Sequence, residues 1–219
     1  MSKLGFNAHN RKKKQTDVLH LVANAIFATA AYTLPYGTDI TIEWMQFMKT
    51  ADLAISKFLS VGPSNTNNFS VLSGYGSSAL FIFDHPQAAR IQTTTPLNRW
   101  VRVSVVSGHT GLRQIYFDGV LMASRNNGVA PTGDLVGFYL SASGAQRGLY
   151  ADMRIWNTIQ TQKQISDYAY RRLTPQETLM AYYRLESNMY DYSGNAAHLN
   201  QIQGPQGFSY EKNSGLILN

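Results

Sequence analysis

Apolar and polar residues alternate in short segments along most of this chain. In the segment "TDITIEWMQFMK", Ile40, Ile42 and Trp44 fall on one face of an extended chain. Thr41 and Glu43 fall on the other face, which is the period-two pattern of a half-buried strand. Similar segments, separated by turns rich in glycine and asparagine, lie at 18–31, 54–61, 69–76, 78–84, 100–108, 134–143 and 148–157. The pattern predicts a chain of about nine to eleven short strands.

The segment "QIYFDGVLMA" contains two turn-forming residues between two strand-like runs. Asp118 and Gly119 tolerate the positive φ angles of a type I′ turn, whose twist matches that of the strands on either side. The segment is therefore predicted to be a β-hairpin.

Helical periodicity is confined to the region after residue 160. Thr161 and Gln164 have the spacing of a capping box, which predicts a helix at 162–173 with an apolar stripe. The stripe consists of Ile165, Tyr168 and Ala169. A second start at Thr174–Glu177 precedes a predicted strand, "TLMAYYRLE". One or two short helices are thus expected near 162–178.

The predicted fold class is all-β, a two-sheet antiparallel jelly-roll sandwich. With 44% hydrophobic and 15% charged residues, the chain can bury a large core. Three parts are predicted: a basic N-terminal arm at 1–17, the jelly-roll domain at 18–200, and a polar C-terminal extension at 201–219. The extension is expected to pack loosely and to end in a short strand at "GLILN".

The positive charge is concentrated in the arm. The net charge is +6, and Lys3, Arg11, Lys12, Lys13 and Lys14 all precede the first acid, at position 17. The rest of the chain is almost neutral, so binding to nucleic acid is expected only through the arm. Arg11 to Lys14 are accordingly predicted to form either a docking arm or a solvated tail.

Residues 11–31 imitate a signal peptide, with a basic cluster followed by an apolar stretch. Asp17, His20 and Asn24 interrupt that stretch, so strands are the preferred interpretation and export is left open. No apolar run is long enough for a membrane helix, and no membrane partner is expected. The chain has no cysteine, which excludes disulfides and thiolate metal sites.

An ordered set of segments resembles the laminin-G-like, concanavalin A-like lectin and glucanase superfamily. The set is "TIEWMQF", "RWVRVSVV", "IYFDGVLMA", "LYADMRIWN", "KQISDY", "LMAYYRLE" and "DYSGNAAH". The resemblance covers roughly residues 18 to 200 and implies two stacked antiparallel sheets. It implies functions from sugar binding and adhesion to glycan hydrolysis, and such domains also resemble modules of bacteriophage virion proteins. Fold alone does not choose among these functions.

Catalysis is not expected. Asp39 and Glu43 are the nearest acids on one strand face, and at about 13 Å they are too far apart for either glycosidase geometry. Acids brought together from different strands are not visible in a sequence. The five histidines lack metal-ligand spacing, and no calcium loop or phosphate-binding loop occurs. No cofactor or metal is predicted.

Sugar binding or partner contact needs exposed aromatic residues beside polar groups. Alternation places Trp100 on the face of Arg102, and Trp156 on the face of Arg154. These residues predict a stacking platform, or else a face covered by the helix, the other sheet or a partner. Further candidates are Tyr36, Tyr75 and the loop at 62–76.

Three functions follow from this pattern. The preferred hypothesis is a non-enzymatic structural or adhesion protein of a virion, associated with a phage capsid or tail, that contacts other virion proteins and forms homo-oligomers. The alternative is a carbohydrate-binding module, secreted or at the cell surface. The third is a glycoside hydrolase with unusual carboxylates.

Overall fold

The structure is a computed structural model. It describes residues 16–22, 26–34, 38–53, 58–61, 69–75, 79–84, 90–126, 135–140, 147–203, 207–212 and 214–218. Fifteen strands and one α-helix lie in these ranges. The strands are Val18–Leu21 (β1), Ile26–Leu34 (β2), Ile40–Phe47 (β3), Leu59–Val61 (β4), Phe69–Tyr75 (β5), Leu80–Asp84 (β6), Ile91–Thr94 (β7), Trp100–Ser107 (β8), Leu112–Phe117 (β9), Val120–Asn126 (β10), Leu135–Leu140 (β11), Gly148–Trp156 (β12), Leu179–Tyr183 (β13), Asn200–Gln203 (β14) and Phe208–Glu211 (β15). The helix is Gln162–Tyr168 (α1), and a 3-10 turn lies at Thr50–Asp52.

The strands form two antiparallel sheets. The first sheet has the order β10-β9-β8-β3-β12-β1-β15, with β13 also paired to β12, and the second has the order β14-β2-β11-β4-β5-β6-β7. Apolar side chains from both sheets meet in one large core, in which Trp44 packs against Phe58 and Phe81. The predicted two-sheet sandwich is confirmed.

The Asp-Gly hairpin is confirmed. Asp118 and Gly119 both have positive φ, 50° and 79°, between β9 and β10. Gly119 is required for a second reason, because a Cβ at this position would lie 2.9 Å from the Cα of Ser166 in α1. The turn therefore also brings the helix against the hairpin, where the side chain of Gln162 donates to the Gly119 carbonyl.

Strand β3 is buried on both faces, so the prediction of a half-buried strand is wrong. Thr41 and Glu43 have no exposed surface. The chain after β12 covers them: the Thr41 hydroxyl donates to the Thr158 carbonyl at 2.8 Å and accepts the Gln160 N–H at 2.9 Å. Polar residues can be buried here because each of them has a partner.

Helix α1 begins where the sequence predicts. Thr161 accepts the backbone N–H of Gln164 and donates its own N–H to the Gln164 side chain, which completes a capping box. The helix ends at Tyr168 and not at residue 173. The carbonyls of Tyr168 and Ala169, which have no partner within the helix, accept hydrogen bonds from arginines of the sheet, so the early end leaves no buried carbonyl unpaired there. Residues 174–178 form no second helix, so one short helix is found of the one or two predicted.

The end of the chain adds strands to both sheets. β14 pairs with β2, and β15 pairs with β1. The prediction of a strand at "GLILN" is wrong for its described residues, 215–218, because they form no strand. Leu216 is nevertheless buried, and its carbonyl accepts the N–H of Thr16. In the described residues, no helix is both long and apolar enough to cross a membrane.

Candidate functional site

Four charged side chains lie together on the outer face of the first sheet, where α1 covers it. We call Glu43, Arg102, Asp152 and Arg154 the buried ion cluster, since none has exposed side-chain surface. Asp152 Oδ1 accepts Arg102 Nη2 at 2.8 Å and Arg154 Nη2 at 2.6 Å. Arg154 Nη1 lies 3.8 Å from Glu43 Oε2. Two acids and two bases leave the cluster neutral.

The environment of Asp152 favours its charged form. Burial opposes ionisation, but Arg154 and Arg102 more than offset it, so the pKa of Asp152 is lowered from its ordinary value. Tyr182 donates to Asp152 Oδ2 at 2.8 Å. Burial and the Asp152 charge raise the pKa of Tyr182 to about 12, so Tyr182 stays a neutral donor.

The cluster fixes the end of helix α1 to the sheet, and its carboxylates are not accessible to a substrate. Glu43 Oε1 accepts the Ser104 hydroxyl at 3.0 Å, and Oε2 accepts the Trp156 indole N–H at 2.9 Å. All four carboxylate oxygens of the cluster are thus occupied and closed to solvent. Its arginines donate to the carbonyls of Tyr168, Ala169 and Arg171 at the end of α1. A glycosidase needs carboxylates that reach the sugar, and these two do not.

Trp156 and Arg154 share the outer face, as alternation predicts, but both lie beneath other residues. Trp156 is 1% exposed and stacks on Tyr168 of α1, with ring centroids 6.2 Å apart. In this structure neither side chain can form a surface platform. The structure thus shows the covered alternative for both, with α1 as the covering element.

Trp100 is partly buried at the other end of this face. Its indole N–H donates to the Ser214 carbonyl at 3.1 Å, and its ring packs edge-on to Phe47. The end of the chain, with Leu216 buried in the same cluster, therefore covers much of the ring. A role for Trp100 in ligand contact stays a prediction.

The other predicted contact residues are not placed by the structure. Tyr75 lies in β5, but its side chain is outside the described residues. Tyr36, the loop residues 62–68 and the arm Arg11, Lys12, Lys13 and Lys14 lie outside them as well.

An exposed aromatic surface follows β13, at the loop 184–198. We call Arg184, Asn188, Tyr190, Tyr192 and His198 the Tyr190 surface. Tyr190 is 59% exposed, and its ring lies 5.2 Å from the His198 ring at an angle of 49°. Asn188 accepts the Tyr190 N–H at 3.0 Å and donates to the Tyr192 hydroxyl at 3.1 Å. Exposed aromatic and polar groups thus adjoin each other.

A buried aspartate holds this loop in place. Asp191 Oδ1 accepts the backbone N–H groups of Tyr182 and Ser193, and Oδ2 accepts that of Ala197. The Asp191 N–H donates to His198 Nδ1 at 3.0 Å. These bonds fix the residues on either side of Tyr190, so its ring is presented from an ordered backbone.

Arg184 lies beside this loop without an ionic partner. Its guanidinium carbon is 4.3 Å from the centroid of Tyr192 and 6.0 Å from that of Tyr182. Arg184 is half-buried, and its Nε is buried with no hydrogen-bond partner. No acid of the described ranges pairs with it.

Comparison with known proteins identifies the family. A family model described as the concanavalin A-like lectin/glucanases superfamily matches residues 23–166, more than half of the chain. The chain belongs to this superfamily. The resemblance stated from sequence is thereby confirmed, whereas a phage origin is not shown. No curated protein matches the sequence.

Solved structures with the superfamily fold are distant in sequence. A candidate carbohydrate-binding protein from Bacteroides ovatus has a TM-score of 0.67 and 17% identity, and covers 93% of this chain. This chain spans only 62% of that one. A heptameric SAP-like pentraxin from Limulus polyphemus has a TM-score of 0.64 and 12% identity, covering 92% of this chain and 97% of its own. The ligand-binding domain of botulinum neurotoxin serotype D, solved with N-acetylneuraminic acid, has a TM-score of 0.53 and 12% identity over 70% of this chain and 42% of its own.

These similarities establish the fold alone. Within the described residues, no group of three or more acids or histidines is arranged to hold a metal ion. The sequence by itself does not predict the Tyr190 surface. The segment "DYSGNAAH" contains two of its residues, Tyr192 and His198, but supports only the resemblance to the family.

Proposed function

We propose that this protein is a non-catalytic carbohydrate-binding module and that the sugar lies on the Tyr190 surface. The observation that carries the proposal is the exposed ring of Tyr190, held next to His198, with an amide and a hydroxyl beside it. Rigid aromatic rings supply contact area at small entropic cost, and the nearby polar groups orient a ligand.

The chemistry of the acids supports binding over hydrolysis. Glu43 and Asp152 come from neighbouring strands, which is where a glycosidase pair would be sought. Both are buried, and their oxygens already have donors. A sugar on the Tyr190 surface would meet neither of them.

The setting of this function is part of the proposal. We place the module outside the cell, where polysaccharides are accessible, with residues 18–200 and the added strands β14 and β15 as its main domain and the basic arm as an attachment. Two of the similar structures, a candidate carbohydrate-binding protein and a toxin domain with N-acetylneuraminic acid, support carbohydrate binding, whereas nothing supports a virion role, so carbohydrate binding is the main proposal.

Protein contact is a second candidate because of one exposed strand. β10 is the edge of the first sheet, and Val120, Leu121 and Met122 are 58%, 41% and 46% exposed. An apolar edge of this kind suits contact with another protein. Sedimentation of the isolated protein at increasing concentration tests for self-association through it.

Carbohydrate binding is tested by screening the full chain against a glycan array and measuring the best probe by calorimetry. Tyr190→Ala is expected to weaken binding about tenfold or more, because the stacking ring is removed. Tyr170→Ala is the control. Tyr170 is also a partly exposed tyrosine, at 37%, but its hydroxyl donates to Asp118 of the β9–β10 hairpin, away from the Tyr190 surface. Thermal melting shows whether both variants fold.

Two results would overturn the proposal. Wild-type protein that binds no glycan excludes the function, and a Tyr190→Ala variant that binds as well as wild type excludes the site. Release of reducing sugar from a bound polysaccharide would instead identify a hydrolase.

A further inference from the structure

The cation on the Tyr190 surface differs from the other arginines near it. Arg184 lies over the rings of Tyr182 and Tyr192, whereas Arg172 pairs with Glu186. The side chain of Arg184 donates a hydrogen bond to no residue of the described chain, and its Nε is buried without a partner. Arg184 therefore has no ion pair among the described residues.

The acids of this region are all occupied. Glu186 is neutralised by Arg172, and Asp152 by the two arginines of the buried ion cluster. Asp191 is buried and accepts hydrogen bonds from backbone N–H groups. The raised pKa of Tyr182 keeps that hydroxyl uncharged. None of these acids forms an ion pair with Arg184.

Stacking prepares Arg184 for an anion. The Arg184 guanidinium lies over Tyr192, with Tyr182 set edge-on to that ring at 65°, and these contacts restrict its side-chain rotamers. Carboxylate and sulfate groups accept two parallel N–H bonds from such a group. Because the side chain is already ordered, little rotamer freedom is lost on binding.

Arg184 is connected to the backbone of Tyr190 through two other residues of the surface. Arg184 lies over Tyr192, the Tyr192 hydroxyl accepts the Asn188 side-chain N–H, and Asn188 accepts the Tyr190 backbone N–H. The cation, the amide and the exposed ring thus belong to one connected surface.

We propose that the Tyr190 surface selects an acidic sugar, whose carboxylate or sulfate group binds Arg184. This inference rests on the proposed carbohydrate binding. It assigns the ligand class, whereas Tyr190 alone would accept neutral sugars.

The test compares acidic polysaccharides with their neutral counterparts, using the full chain at physiological salt. Polygalacturonate against its methyl ester tests a carboxylate, and dextran sulfate against dextran tests a sulfate. We expect wild type to bind at least one acidic member tenfold or more better than its counterpart. Arg184→Met should remove this preference, a loss of about tenfold to a hundredfold for the acidic probe.

Two further variants separate specific recognition from general charge. Arg184→Lys keeps the charge but lacks the planar fork, so it should recover only part of the affinity. Arg125→Met removes the same charge from exposed strand β10, at the far edge of the first sheet, and should bind like wild type. Melting curves show that each variant is folded.

The possible failures are distinguishable. If wild type binds neutral and acidic probes equally, or if Arg184→Met keeps the preference, the acidic-sugar inference is overturned while carbohydrate binding stands. An equal loss in Arg125→Met and Arg184→Met would also overturn it, as general attraction to a basic protein. If wild type binds none of these probes or any glycan of the array, both proposals fall.

Discussion

Two regions of this molecule use arginine in opposite ways. In the buried ion cluster, Arg102 and Arg154 are fully buried, paired with carboxylates and bonded to the end of α1. On the Tyr190 surface, Arg184 is half-buried, lies 4.3 and 6.0 Å from the centroids of two tyrosine rings, and has no ion pair within the described ranges. A fully buried cation must have partners to offset its lost hydration, whereas a half-exposed one keeps water as a partner. The first region therefore has a structural role, and the second is the one to which we assign binding in our proposal.

The largest effect is expected from breaking the buried ion cluster. Arg154→Met removes the arginine that lies within 4.0 Å of Glu43 and two donors from the end of α1. An unpaired buried charge costs about 3–5 kcal/mol of stability. Urea unfolding of the variant and of Arg125→Met measures the difference. A loss below about 1 kcal/mol for Arg154→Met would show that the cluster does not support the fold.

A smaller loss of stability is expected from a substitution at the contact between the β9–β10 hairpin and helix α1, which covers the buried ion cluster. Gly119→Ala introduces a Cβ at φ +79° and 2.9 Å from the Cα of Ser166, so strain and a backbone clash add together. We expect a loss of about 1–3 kcal/mol by thermal unfolding.

The control for this substitution lies in the open region. Gly194→Ala has a positive φ of 98°, but nothing lies within 4 Å of the added Cβ. It should therefore cost less than Gly119→Ala. Equal losses would mean that the contact between hairpin and helix is unimportant.

The smallest effect on stability is expected for Arg184→Met, although it should have the largest effect on acidic-sugar binding. The cation–π contacts of a partly exposed arginine contribute about 0.5–1 kcal/mol. Denaturant midpoints of this variant and of Arg154→Met compare the two regions directly. If Arg184→Met were as destabilising as Arg154→Met, both arginines would be structural, and the distinction between the regions would disappear.

Local features were predicted where neighbouring residues decide the outcome. The positive φ angles at Asp118 and Gly119 and the capping box of Thr161 and Gln164 follow from chemistry within four residues. Alternation also assigned Trp156 and Arg154 to the outer face of their strand correctly. These features support an all-β sandwich with one short helix.

The candidate site could not be predicted in the same way. Trp156 finds its acceptor, Glu43, at a separation of 113 residues along the chain, and the helix that covers it is placed by arginines of two strands. Tyr190 is exposed because Asp191 turns inward to bind backbone groups of its own loop and of β13. Rules of residue spacing cover only a few positions along the chain, so they cannot predict contacts between residues this far apart in sequence.

The sequence by itself determined the all-β class, the hairpin, the helix start and the neutral body of the chain, because turn angles, caps and period-two alternation act over a few residues. It did not give the number of strands, since fifteen are found in the described residues against the nine to eleven predicted. Only the tertiary structure decided which polar residues are enclosed and which cation is left unpaired. The physical reason is that burial, and with it the need of a charge for partners, depends on which distant segments cover a residue.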